Sequence, residues 1–126
     1  MSKDSNKNKK ALIVEDDLIT LMSLEVMLQN HGFELVGKTD TGEKVIELVK
    51  ETSPDIIIMD GILAEKMTGL EVAEELRKSH NTPIVFITAL SDKHTRLRML
   101  SIENCDWVTK PITEESLFTK IAEVMP

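Results

Sequence analysis

Six polar side chains in this 126-residue sequence fall where short apolar runs stop. Glu15, Asp16 and Asp17 follow Ala11-Leu-Ile-Val14, and Asp60 follows Ile56-Ile-Ile-Met59. Thr88 follows Ile84-Val-Phe-Ile87, and Lys110 stands between Trp107-Val-Thr109 and Pro111. Clustered carboxylates repel one another unless a cation sits among them, and the favoured cation is Mg²⁺, a hard ion that takes a few carboxylates together with waters and phosphate oxygens. A carboxylate on a rigid strand end can also act as nucleophile toward a phosphoryl group, giving an aspartyl phosphate, while metal, hydroxyl and ammonium neutralise the phosphoryl oxygens. Asp60 suits the nucleophile, Thr88 the hydroxyl and Lys110 the ammonium. Each residue alone has an ordinary use: Asp16 or Asp17 can cap a helix starting at Leu18, Asp60 and Thr88 can serve turns, and Lys110 can be a solvated loop lysine. Their joint arrival at the ends of successive strands is what points to metal-phosphate chemistry.

Such convergence requires neighbouring parallel strands. From Ala11 onward, β-branched or apolar runs at 11–14, 33–36, 56–59, 84–87 and, more weakly, 107–109 alternate with segments of helical period. Leu18 to Asn30 is apolar over a broad face; Val45, Ile46, Leu48 and Val49 form a second stripe; Leu70, Ala73 and Leu76 form a third. The fourth helix, about Asp92 to Ile102, has only a thin seam of Leu97, Leu100 and Ile102 among Lys93, Arg96 and Arg98, and Leu117, Phe118, Ile121, Ala122 and Met125 make the fifth. Gly32, Gly37, Gly42, Pro54, Pro83 and Pro111 fall between elements or at their edges. Runs that are apolar on both faces belong in a parallel sheet covered on both sides, so the expected class is α/β, a doubly wound (βα)5 sandwich. In such sheets sites form outside the carboxyl ends of the strands, beside the point where strand order reverses.

Composition narrows the classes further. With 41% hydrophobic and 29% charged residues the chain reads as one ordinary folded domain. Cys105 has no partner for a bridge, and His31, His80 and His94 are too widely spaced for a local zinc site. No apolar run approaches the ~18 residues of a membrane span, so neither a membrane nor an apolar leader is expected, and a cytoplasmic location is. Residues 1–9 read as a disordered basic tail ahead of a folded domain at 10–126. The tail is net basic, so the domain is more acidic than the chain's net charge of −7 indicates, which disfavours direct nucleic-acid binding.

Four blocks, Ala11-Leu-Ile-Val-Glu-Asp-Asp17, Ile56-Ile-Ile-Met-Asp60, Phe86-Ile-Thr-Ala89 and Val108-Thr-Lys-Pro111, resemble in order and spacing the signature blocks of response regulator receiver domains, the chemotaxis-regulator-like switches of two-component signalling. The resemblance spans about residues 10–126 and implies a flavodoxin-like fold with strand order 2-1-3-4-5. It makes Asp60 the phosphoacceptor, Glu15 and Asp16 the acidic pair that joins Asp60 and the main-chain carbonyl of Ile62 around Mg²⁺, and Lys110 the partner of the phosphoryl group. Thr88 becomes the hydroxyl that moves to bond the phosphate, Trp107 the switch aromatic, and Ala89 the small residue that admits the donor. The implied partners are a histidine kinase or histidine phosphotransfer protein and a downstream protein on the surface of the fourth helix, fifth strand and fifth helix, with a phosphorylation-dependent homodimer also compatible. The chain would be a signalling domain rather than an enzyme, either stand-alone or part of a longer regulator or hybrid kinase.

Some positions depart from the common pattern. Ala64 stands where a proline is usual, the loop to Gly69 is one residue longer, and Glu103-Asn104 replaces the small pair before the fifth strand. The alternative class, an Mg²⁺-dependent aspartyl-phosphate phosphatase, normally has a second acid two residues after the nucleophile; here that residue is Ile62, which cannot protonate a leaving group. A flavin-binding module would need a Ser/Thr/Gly-rich phosphate loop after the first strand, where Glu15-Asp16-Asp17 stands instead.

In the family, the residues two beyond the phosphoacceptor and two beyond the threonine border the path of attacking water; here they are the apolar Ile62 and Leu90. Neither can orient a water, so self-dephosphorylation should be slow. Replacing Ile62 with Asn and Leu90 with Glu should speed loss of the phosphoryl group severalfold in a decay assay, and an unchanged rate would refute this account.

Overall fold

The computed structural model describes residues 8–61, 68–88 and 93–125, with side chains in the last segment described from residue 96. The expected Ile62 carbonyl, Ala64, Ala89, Leu90, the start of the fourth helix near Asp92 and residues 1–7 of the tail lie outside these.

Five strands, β1 (Lys10–Val14), β2 (Glu34–Thr39), β3 (Ile56–Asp60), β4 (Ile84–Thr88) and β5 (Cys105–Thr109), form one parallel sheet in the order β2-β1-β3-β4-β5. The helices are α1 (Leu18–Asn30), α2 (Val45–Thr52), α3 (Gly69–Leu76), α4 (Lys93–Leu100) and α5 (Glu114–Val124). Alternation along the strands divides the core. Leu12, Val14, Ile57, Met59, Ile84 and Phe86 face α2, α3 and α4, whereas Ala11, Ile13, Ile56, Ile58, Val85 and Ile87 face α1 and α5. The three central strands are buried on both faces, as their continuous apolar sequences require.

Helix ends follow from local chemistry. Thr68 caps α3 and Glu71 answers it in a reciprocal capping box; Thr113 and Ser116 do the same for α5. α5 buries Leu117, Phe118, Ile121 and Val124, and His31 at the end of α1 stacks on Phe118 with ring centroids 3.6 Å apart. α1 fully buries only Leu24 and Leu28, each contributing about 1.5–3 kcal/mol by transfer from water. Its Leu18, Ile19, Met22 and Val26 stand more than half exposed, so the broad apolar face divides into a buried seam and a solvent-facing stripe.

Two expectations are corrected. Gly37 does not punctuate the second strand but lies inside it, because β2 runs on to Thr39 and slips register opposite Ala11 and Leu12. A side chain there would meet Leu12, since a Cβ would stand 3.1 Å from Leu12 Cδ1. The weak fifth run extends back to Cys105 because Arg77, just past α3, fastens the loop before it. Arg77 donates to the carbonyls of His80 (3.2 Å), Thr82 (2.7 Å), Glu103 (2.7 Å) and Asn104 (3.2 Å), and Asn104 turns the chain with φ 59°. This clamp lies at the amino ends of the strands, opposite the polar cluster. Among the described residues no helix is long and apolar enough to cross a membrane.

Candidate functional site

Parallel register builds the site. Val14 is level with Met59, and Asp60 with Ile87, so Glu15, one step past β1, emerges beside Asp60 at the end of β3. Thr88 is level with Thr109, and the Lys110 amide donates to the Thr88 carbonyl at 2.8 Å, which delivers the lysine to the same edge. Lys110 Nζ lies 3.6 Å from Asp60 Oδ2 and 3.7 Å from Glu15 Oε1. Glu15, Asp16 and Asp60 present carboxylate oxygens within 4.8 Å of one another. Thus Glu15, Asp16, Asp60 and Lys110 come together, with Thr88 at the adjoining strand end.

Glu15 is the most constrained member. Its backbone N–H donates to the Thr39 carbonyl (3.0 Å) and its Oε2 accepts from the Asp17 N–H (3.0 Å), while Oε1 is buried with no hydrogen-bond donor among the described residues. Burial pushes the Glu15 carboxyl from its ordinary 4.5 up to about 7; contact with Asp60 adds to the rise, and the Asp17 amide and Lys110 oppose it. A buried carboxylate oxygen without a donor among the described residues, in a group of three acids that these residues face with one ammonium, is what a divalent cation would satisfy, so the donor set fits an oxygen-ligated metal.

Asp17, the third acid of the run, has a structural role. Its side chain caps α1, accepting from the Thr20 backbone N–H (3.1 Å) and the Thr20 hydroxyl, and these bonds hold its carboxyl below the usual range. Trp107 is level with Phe86 on β4, and alternation places it on the same face of the sheet as Thr88. It is half-buried and lines a cleft of about 370 Å³ with Thr113, Ser116 and Lys120.

Sequence reasoning missed the glycines that let the Asp60 backbone fit. A Cβ on Gly69, the first residue of α3, would stand 2.1 Å from the Asp60 carbonyl oxygen, a distance no side chain tolerates. Gly61 donates to the Ile87 carbonyl (3.0 Å) and accepts from the Gly69 N–H (3.2 Å). The available signal was a glycine directly after an acid-ended strand and another opening the next helix.

A doubly wound sheet whose order reverses beside β1, with acids, a hydroxyl and a lysine at its carboxyl edge, defines a class of acidic, phosphate-compatible switch domains. The family described as response regulator receiver domain matches residues 11–122, and the chain belongs to it. It is 34% identical over 122 residues to the probable transcriptional regulator ycf27 of Guillardia theta, covering 97% of this chain and 47% of that protein. It is 30% identical over 110 residues to the transcriptional regulatory protein YdfI of Bacillus subtilis, covering 86% and 51%. The chain therefore spans about half the length of these curated relatives. Among solved structures, the signal receiver domain of a modulated diguanylate cyclase from Desulfovibrio desulfuricans superposes with a TM-score of 0.85 at 29% identity, covering 94% of both chains. The receiver domain of sensor histidine kinase PA1611 from Pseudomonas aeruginosa, solved with a magnesium ion coordinated in its active-site cleft, has the same fold with a TM-score of 0.81 at 23% identity, over 94% of this chain and 98% of that one.

The pH dependence of stability follows from Glu15. Its folded-state value near 7 lies above the unfolded 4.5, so the stability from its protonated form is complete below about pH 4.5 and is lost as pH rises through 7. Without divalent ions, Glu15→Gln should gain stability relative to wild type between pH 4.5 and 8, by up to on the order of 3 kcal/mol. Denaturant titrations across that range measure it; parallel curves would show that Glu15 is not held protonated.

Proposed function

We propose that this receiver domain takes a phosphoryl group onto Asp60 from the phosphohistidine of a kinase or phosphotransfer protein. The observation that carries the reading is the convergence of Asp60 with Lys110 at 3.6 Å inside a three-carboxylate cluster. Glu15, Asp16 and Asp60, with the Ile62 carbonyl that the resemblance implies, would hold Mg²⁺, whose bound charge draws phosphoryl oxygens toward the acids. An Asp60 carboxylate oxygen attacks phosphorus in line, the N–P bond breaks, and its electron pair returns to the imidazole, which takes up a proton from solvent. Lys110 supplies positive charge to the phosphoryl oxygens, and Thr88 donates its hydroxyl to one of them. The exposed stripe Leu18, Ile19, Met22 and Val26 starts two residues beyond Asp16, so a protein donor reaching Asp60 has an apolar surface to rest on.

The same reading gives the switch. Phosphorylation is a local change of charge, which a distant partner senses only through an element with two arrangements. Movement of Thr88 toward the phosphate frees space on the face it shares with Trp107, and the surface of α4, β5 and α5 changes for a downstream protein or a second copy of the chain. The folded domain at 10–126 is thus a signalling unit whose state is read by a downstream partner, and a cytoplasmic setting matches a kinase partner. A phosphatase reading is not favoured, since Ile62 stands where its general acid would be.

Incubation with a small acyl phosphate and Mg²⁺ should add the mass of one phosphoryl group to wild type and none to Asp60→Asn. Equal labelling of that variant, or labelling that survives a chelator, would falsify the assignment.

Because Trp107 is the single tryptophan, its emission should change first with Mg²⁺ and again with beryllofluoride, a phosphoryl mimic. Thr88→Ala should weaken the second step and spare the first. A full second step in that variant, with the mimic bound, means the indole does not follow this threonine.

A further inference from the structure

Gly61, the residue after Asp60, is held by its backbone on two sides, through the Ile87 carbonyl and the Gly69 amide. Its third side is covered from α4. A Cβ at Gly61 would lie 3.3 Å from Met99 Cε, so the thioether methyl rests over a bare Cα. Met99 is buried, while its neighbours Leu97 and Leu100 are 56% and 66% exposed. Other described anchors of this helix include its packing on β5. Ile102, just past its end, is buried, and Arg98 pairs with Glu74 at 2.7 Å across half-exposed surface, a kind of pair that contributes little. One of the described contacts of α4 is therefore made to the residue next to the nucleophile.

We propose that Met99 is a positioning residue: the seat of its methyl on Gly61 ties the position of α4 to the backbone at Asp60, so each biases the other. The inference rests on the phosphoacceptor reading of Asp60 and adds a route separate from Thr88 and Trp107, because it runs through the inner face of α4. An unbranched thioether suits the role, since it follows a moving neighbour by changing rotamer. Coupling of this kind is reciprocal: a phosphoryl group that shifts Gly61 moves α4, and displacing α4 changes how tightly the Asp60 site holds the phosphoryl group.

The test is a double-mutant cycle on the full chain with Met99→Ala, Gly61→Ala and the two combined. It reads beryllofluoride affinity in saturating Mg²⁺, thermal stability, and hydrogen exchange of the backbone amides at 97–100. If Met99→Ala does not fold, Met99→Leu, which preserves the buried volume, takes its place in the cycle. The mimic should alter exchange at 97–100 in wild type, this response should be lost in Met99→Ala, and the affinity of the double variant should depart from the product of the singles by about threefold or more. Affinities that multiply, with the exchange response intact and only stability lowered, make Met99 a filler of the core and overturn the inference alone. A wild type that binds no mimic overturns the phosphoacceptor reading, and this inference with it.

Discussion

Carboxylates that share the end of one sheet repel each other, and the arrangement of this domain answers to that repulsion. Two unit charges about 4 Å apart interact by ~4 kcal/mol at the effective dielectric near a protein surface. Three acids here bring oxygens within 4.8 Å, against one ammonium among the described residues, 3.6 and 3.7 Å from two of them. The imbalance is held as affinity for a positive charge, whether a proton on Glu15 or a divalent ion. It persists because the strands cannot relax: β1, β3 and β4 are buried on both faces, and a one-residue slip would turn every side chain to the opposite helical layer.

Rigidity on the side of the strands is matched by close packing beneath Asp60. The Asp60 carbonyl touches the first residue of α3 so closely that only glycine fits, and Gly61 ties β3 to β4 and α3 through two hydrogen bonds. A charge added at Asp60 therefore acts on a junction of three elements. α4 borders the same junction through Met99, whose methyl lies against Gly61.

The sheet and its polar edge were legible because burial on both faces writes unbroken apolar runs, and because acids, a threonine and a lysine stood directly after them. Asp60 and Thr88 prove to be the last residues of their strands rather than the first of their loops. The extension of β2 through Gly37 was hidden, since glycine in an edge strand looks like a turn until its close approach to Leu12 is seen. Periodicity also could not tell the buried seam of α1 from its exposed stripe, because both are apolar. Asp17 had a capping use that spacing permitted for Asp16 equally. Arg77 gave no signal at all: its partners are backbone carbonyls, which carry no residue identity.

That arginine has a consequence for how the domain can diversify. Its planar fork gathers the turns that enter β4 and β5, at the rim of the sheet farthest from Asp60. Fastening and chemistry thus occupy opposite rims, and a change at one is not charged against the other. Loops on the reactive rim are free to lengthen or alter their side chains, while the far rim keeps the strands in register. Descendants of such a chain can acquire new specificities by drift in a few loops without first acquiring a more stable scaffold.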